Sequence, residues 1–149
     1  MTSTSPTPLH ASLVSEALPH PLPETTAARI LLLAVRRMGA HGLNDAVAAN
    51  TFLSAFGQSF QRPLLLARAF MAELAATSTT TIPIAPCCCA RTTWAEWTII
   101  TAIGQAERRP DVAQLLLADL MAQRRADAIL MSATALSAAF ADAGLPLGV

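Results

Sequence analysis

Apolar positions along this chain recur at three- and four-residue intervals in six stretches, the spacing that lines them up on one face of a helix. The first predicted helix starts at Glu24 or Thr25 and ends at Gly39, with Ile30, Leu31, Leu33, Ala34 and Met38 on a wide apolar face. Pro23 and Glu24 suit a first turn, and glycine suits the left-handed position behind a last one. The second helix runs from an Asn44 N-cap to Phe56, with Val47, Ala49, Phe52, Leu53 and Phe56 on its dry side and Gly57 as its stop. The third spans about Gln61 to Ala76, with Pro63 in the first turn and Leu64, Leu65, Ala67, Phe70, Met71 and Leu74 at helical spacing. The fourth opens on Thr93-Trp94-Ala95-Glu96, a capping box, and ends near Ala106. Trp94 and Trp97, three apart on one face, read as its core packing. The fifth runs from Pro110 to about Gln123 with Val112, Leu115, Leu116 and Met121 inward. The sixth runs from about Asp127 to Ala143 and stops at Gly144, with Pro146 beyond.

These elements predict an all-α fold: a single compact bundle of about six helices, mostly up-and-down. A long Pro/Cys loop, Thr77 to Thr92, joins helices 3 and 4. Within it Thr80 to Ile84 could be extended, and Pro83 and Pro86 argue against helix. Residues 1–23 form a separate Pro/Ser/Thr-rich N-terminal arm, expected to be extended and mobile, with a possible short helix between Pro8 and Pro19. Residues 24–149 form the helical domain. His10 and His20 fall in the arm and are expected to be solvated.

Composition narrows the function. The chain has 149 residues, 53% of them hydrophobic and 13% charged, enough for one domain with its own core. It contains no lysine, so neither a Schiff-base lysine nor a phosphate-loop lysine is possible. Net charge is zero, which argues against nucleic acid as a partner. The arginine pairs Arg36–Arg37, Arg108–Arg109 and Arg124–Arg125 read as caps that complement helix dipoles. Mean hydropathy is +0.45, yet the longest uncharged run in a helical stretch, Ala128–Ala141, and the unbroken apolar run Ile30–Val35 both fall short of the ~20 residues that cross a bilayer. No basic segment of a secretory signal opens the chain, so a cytoplasmic location is expected. Acid pairs, serine triads, HExxH and glycine-rich phosphate loops are absent, which leans away from an enzyme.

Pro86-Cys87-Cys88-Cys89-Ala90-Arg91 is the segment least like structural filler. It precedes a helix N-terminus, where amides and the dipole favour an anion or a thiolate, and Arg91 adds a positive charge. In an up-and-down bundle the 1–2, 3–4 and 5–6 connections share one end, so His41 would approach Cys87, Cys88 and Cys89. The candidate metal ligands are therefore Cys87, Cys88, Cys89 and His41, for zinc or an iron–sulfur cluster. Arg36, Arg37, Asp45 and Arg91 are the candidate binding residues. Against ligation, three consecutive cysteines splay in different directions, whereas zinc sites usually space theirs by two or more residues. Burial as small hydrophobic side chains is the first reading, and a metal site and a reactive thiol or anion site are the alternatives. With no cofactor required, the leading functional reading is a non-catalytic module that associates with itself through surplus apolar surface on helices 1 and 6. Any small-molecule ligand is left unspecified.

One resemblance attaches to particular residues. Arg36-Arg37-Met38-Gly39-Ala40-His41-Gly42 with Asp45, then Arg62-Pro63, Met71-Ala72-Glu73-Leu74 and Ala85-Pro86-Cys87-Cys88-Cys89, is similar to a small uncharacterised family of alphaproteobacterial proteins. The similarity covers roughly residues 19–147. It implies a bacterial cytoplasmic protein and carries no activity with it, because that family is a domain of unknown function.

Overall fold

The structure is a computed structural model, and it describes residues 20–148. The predicted helix between Pro8 and Pro19, the rest of the arm before His20, and His10 lie outside the described residues. Six α-helices carry the fold: α1 (Thr26–His41), α2 (Ala46–Phe56), α3 (Gln61–Thr77), α4 (Trp94–Gln105), α5 (Pro110–Met121) and α6 (Asp127–Asp142). A 3₁₀ turn, Gly57–Ser59, links α2 to α3. Two short strands, β1 (His20–Pro21) and β2 (Arg91–Thr92), pair antiparallel, with His20 opposite Thr92 and Pro21 opposite Arg91. The Thr80–Ile84 stretch forms no strand.

The all-α bundle follows from where the apolar faces go. α6 lies centrally and packs on α3, α4 and α5, while α1 packs on α2, α3 and α4. Phe52 and Phe56 of α2 meet Phe140 of α6 edge-on, with ring centroids 5.7 and 5.0 Å away. Such edge-to-face contacts add to the burial of the rings themselves. α4 and α5 pack closely on each other, and Ala95, Ala102, Ala106 and Ala113 in and beside them are all fully or nearly fully buried.

That alanine stripe corrects the expected face of α4. Ala95, Ile99, Ala102, Ile103 and Ala106 point inward, so Trp94 and Trp97 are 42% and 43% exposed rather than core. Leu115, expected inward on α5, is 71% exposed, and Leu65 on α3 is 61% exposed. Val47 and Leu53 also leave the dry side of α2, which buries only Ala48, Phe52 and Phe56. Helices α1 and α6, expected to carry surplus apolar surface, turn most of it inward; Met131 is their one exposed large apolar side chain.

Helix ends show a second set of corrections. α1 continues past Gly39 and stops at Gly42, whose φ of 99° only glycine adopts readily. Gly39 instead sits under Ile84, where a Cβ would lie 3.5 Å from Ile84 Cγ2. Asp45, not Asn44, caps α2 by accepting from the Ala48 amide at 2.9 Å. At the end of α6, Gly144 is left-handed and the Leu145 amide bonds back to Phe140 O at 2.9 Å, as a glycine stop requires. The end of α5 has the same pair of bonds around Ala122: Ala122 N to Asp119 O, and Gln123 N to Ala118 O. Ala122 has φ 53°, the one non-glycine residue at positive φ among those described.

A left-handed alanine costs about 1 kcal/mol that glycine does not. Ala122→Gly is therefore expected to stabilise the protein by about 0.5–1 kcal/mol, because relief of that strain outweighs the added freedom of the unfolded chain. Equilibrium urea unfolding measures it; a destabilised variant would show that Ala122 is unstrained.

Candidate functional site

The cysteine loop is held down by one buried ion pair. Arg36 projects from the last third of α1 and is 2% exposed, and Glu96, in the first turn of α4, is completely buried. Arg36 Nε donates to Glu96 Oε2 at 2.7 Å and Nη2 donates to Oε1 at 3.1 Å, a two-pronged pairing. The remaining reach of the guanidinium goes to the loop: Nη1 donates to Cys89 O at 2.9 Å and Nη2 to Arg91 O at 2.7 Å. The Glu96 carboxylate also accepts from the Ala85 amide at 3.1 Å and from the Thr93 amide at 2.8 Å. The Thr93 hydroxyl accepts from the Glu96 amide, completing the capping box.

Arg36 therefore does not cap its own helix, as its place in an arginine pair suggested. Four of its hydrogen bonds go to Glu96, Cys89 O and Arg91 O inside the protein, and its side chain also lines both cavities beside the cysteine turn. The partner of Arg36 was missed because it lies 60 residues away and reads, locally, as a cap alone. Of the other arginine pairs, Arg109 lies 3.6 Å from Asp111 and Arg125 lies 2.9 Å from Asp127, both exposed contacts in the first turn of the following helix.

Arg37, next in sequence, points the other way. Its Nε and Nη2 pair with the two oxygens of Asp45, each at 3.0 Å, across the α1–α2 connection. The hydrogen bond to Asp45 is the main reason the Arg37 pKa is raised, and a bond to the Cys87 side chain adds to it. The Asp45 carboxyl is held below its usual value, first by Arg37, then by the Ala48 amide, with a smaller contribution from His41. Asp45 is thus committed twice, to a cap and to an ion pair.

The three cysteines occupy a tight turn in which the Cys89 amide donates to Pro86 O at 3.0 Å. Cys87 and Cys88 are exposed and Cys89 is half-buried, so the core-packing reading of these thiols is overturned. With the flanking backbone held by Arg36 and Glu96, Pro86, Cys87 and Cys88 of the turn are exposed, while Ala85 and Thr92 on either side are buried. His41 does reach the same place: with Arg37, Pro86 and Cys87 it lines a cavity of about 300 Å³. A second cavity, about 320 Å³, lies on the other side of the turn, where Arg29 and Leu33 face Cys87, Cys88 and Cys89. Cys87 borders both. Among the described residues, no group of three or more His, Cys, Asp or Glu side chains is arranged to hold a metal ion. Arg91 is exposed, and its backbone serves β2 and Arg36.

The edge of the site is completed by residues assigned to the arm. β1 pairs with β2, and the Thr92 hydroxyl donates to Pro21 O at 3.3 Å. His20, expected in solvent, stacks on Trp97 with ring centroids 4.7 Å apart and is half-buried. No pattern in the sequence signals that pairing, because a two-residue strand has no periodicity.

A family model covers residues 9–145. The chain belongs to the DUF6628 family, a family of unknown function. The match takes in part of the N-terminal arm, which the resemblance, starting near residue 19, left out. No curated protein and no solved structure matches the chain. Also among the described residues, no helix is long and apolar enough to cross a membrane.

Removing one partner of a buried pair leaves an uncompensated charge. Arg36→Met and Glu96→Gln are each expected to cost about 3–5 kcal/mol, and the double variant Arg36→Met/Glu96→Gln to cost less than the two singles together. Denaturant unfolding tests this; a loss below about 1 kcal/mol for Arg36→Met would mean that the pair is dispensable. Acid acts on the other pair. Because the folded pKa of Asp45 lies below its unfolded value, its stabilisation is complete above about pH 4 and is lost as pH falls through the lower folded pKa. Asp45→Asn should flatten the decline in stability below pH 4, measured by urea midpoints across pH 2–6. An unchanged slope would contradict the Arg37–Asp45 assignment.

Proposed function

We propose that this chain is a non-catalytic helical module of a bacterial cytoplasmic protein that works by association, in the first instance with a second copy of itself. The observation that carries the reading is the set of large apolar side chains left outside a filled core. Leu65 on α3, Leu115 on α5 and Met131 on α6 are 61%, 71% and 74% exposed. Val47, Leu53, Trp94 and Trp97 are each more than 40% exposed. Single exposed hydrophobics are ordinary, but this many on a short chain favours burial against a partner. The support has moved from α1 and α6 jointly to α3, α5 and the outer side of α6. Two of the candidate binding residues, Arg36 and Asp45, are held in ion pairs with Glu96 and Arg37, which supports a structural part for them. Ligation of zinc or an iron–sulfur cluster at the cysteine loop finds less support, since a closed zinc site needs four ligands at tetrahedral angles.

Sedimentation velocity at micromolar concentrations tests the reading. The expected result is a dimer or larger species that shifts toward monomer in Leu115→Glu or Met131→Glu, with helicity unchanged. A strictly monomeric protein would contradict it.

A further inference from the structure

α4 turns an uncharged stripe outward: Trp94, Trp97, Ile100, Thr101, Gly104 and Gln105 are its positions that are not buried. The C-terminal end of the stripe is closed by the segment after α6, since a Cβ on Gly104 would lie 3.3 Å from Leu147 O. The N-terminal end is left open, with both indoles exposed. The segment before α1 reaches this open end. Residues 21–23 line a cavity of about 220 Å³ together with Trp97 and Ile100. Arg29 Nε donates to Pro23 O at 2.6 Å, which ties the segment to α1, and His20 stacks on Trp97. β1 runs antiparallel to β2, with Pro21 opposite Arg91 and His20 opposite Thr92. The chain traced back from His20 therefore heads past Thr93 toward Trp94.

The sequence that precedes His20 suits that surface. Between Pro8 and Pro19, Leu9, Leu13, Val14 and Ala17 fall at helical spacing on one side, with His10 among them, and Ser12, Ser15 and Glu16 fall on the other. Pro8 suits a first turn, and Pro19 disfavours helix at Leu18. Leu18 is two residues from His20, so its Cα stands within about 7 Å of that of His20. The family match begins at Leu9, so this segment belongs to the matched unit along with the helices. We propose that residues 9–17 form an amphipathic helix whose apolar side, with Leu18, covers Trp94 and Trp97 of the same chain. The tether decides between this occupant and a second copy. A segment joined so close to its seat acts at an effective concentration of about millimolar, roughly a thousandfold above a protein at micromolar concentration. The inference goes beyond self-association: it withdraws Trp94 and Trp97 from the surface offered to a second copy and leaves Leu65, Leu115 and Met131 there.

Trp94 and Trp97 are the chain's two tryptophans and tyrosine is absent, so intrinsic fluorescence reports on this face alone. Acrylamide quenching of the full chain is compared with that of Leu13→Glu/Val14→Glu and of Ser12→Glu/Ser15→Glu, which places the same charges on the other side of the segment. Cooperative thermal unfolding confirms that each variant is folded. Leu13→Glu/Val14→Glu is expected to raise the quenching constant about twofold and to shift the emission to the red, because a lost contact opens the indoles to water. Ser12→Glu/Ser15→Glu should change neither. A tethered contact does not depend on protein concentration, so the wild-type constant should stay the same from about 100 to about 1 μM. A constant that rises on dilution would assign the face to a second copy and overturn the proposal. Equal constants in all three proteins, or an equal rise in both variants, would overturn it as well.

Discussion

The Arg36–Glu96 pair is the contact on which the arrangement of this molecule turns. A guanidinium and a carboxylate taken out of water both need their hydrogen-bonding capacity satisfied, since an unpaired buried charge costs several kcal/mol. Here each satisfies the other and then extends to the loop between α3 and α4. Arg36 takes the carbonyls of Cys89 and Arg91, and Glu96 takes the amides of Ala85 and Thr93. A proline-containing loop with little regular structure thus gains backbone partners at four points. The cost of burying two charges is offset by their mutual pairing and by these four charge-assisted hydrogen bonds to the loop backbone.

The rest of the site follows from that clamp. With Ala85 buried and the Cys89 carbonyl held, the Pro86–Cys89 turn is forced outward, and its thiols with it. Ile84 is laid over Gly39, at a distance where even a Cβ would be in ordinary van der Waals contact. Thr92, just past the clamp, is positioned to pair with Pro21, which brings His20 onto Trp97. Arg37 faces away from the clamp and ties α1 to the cap of α2 instead. Adjacent arginines therefore do different work: one builds the loop, the other lines a cavity with Cys87.

Much of the helical frame was legible because helix ends are written locally. Thr93 with Glu96, Pro110 and Gly144 each mark a boundary by chemistry that needs only a few neighbouring residues. Faces were less legible where alanine does the packing. On α4 the larger residues, Trp94 and Trp97, look like the core to any hydrophobicity count, yet the buried positions are Ala95, Ala102 and Ala106 with Ile99 and Ile103. The juxtaposition of His41 and Cys87 could be reasoned from connection lengths alone. The burial of Arg36 could not, because nothing within a turn of it distinguishes an arginine that caps its helix from one that meets a carboxylate 60 residues on. Asp45 was placed in the right turn, but its double role as cap and as partner of Arg37 needed coordinates.

The central claim, that Glu96 and Arg36 fasten the loop, is tested most directly by amide hydrogen exchange at Ala85 and Thr93. Neither amide belongs to a helix or strand, and each donates to the Glu96 carboxylate. Exchange rates report how often such a bond opens. Both amides are expected to exchange as slowly as those in the middle of α4, and Arg36→Met to speed both together. Exchange at Ala85 and Thr93 as fast as at the exposed Thr81 would contradict it.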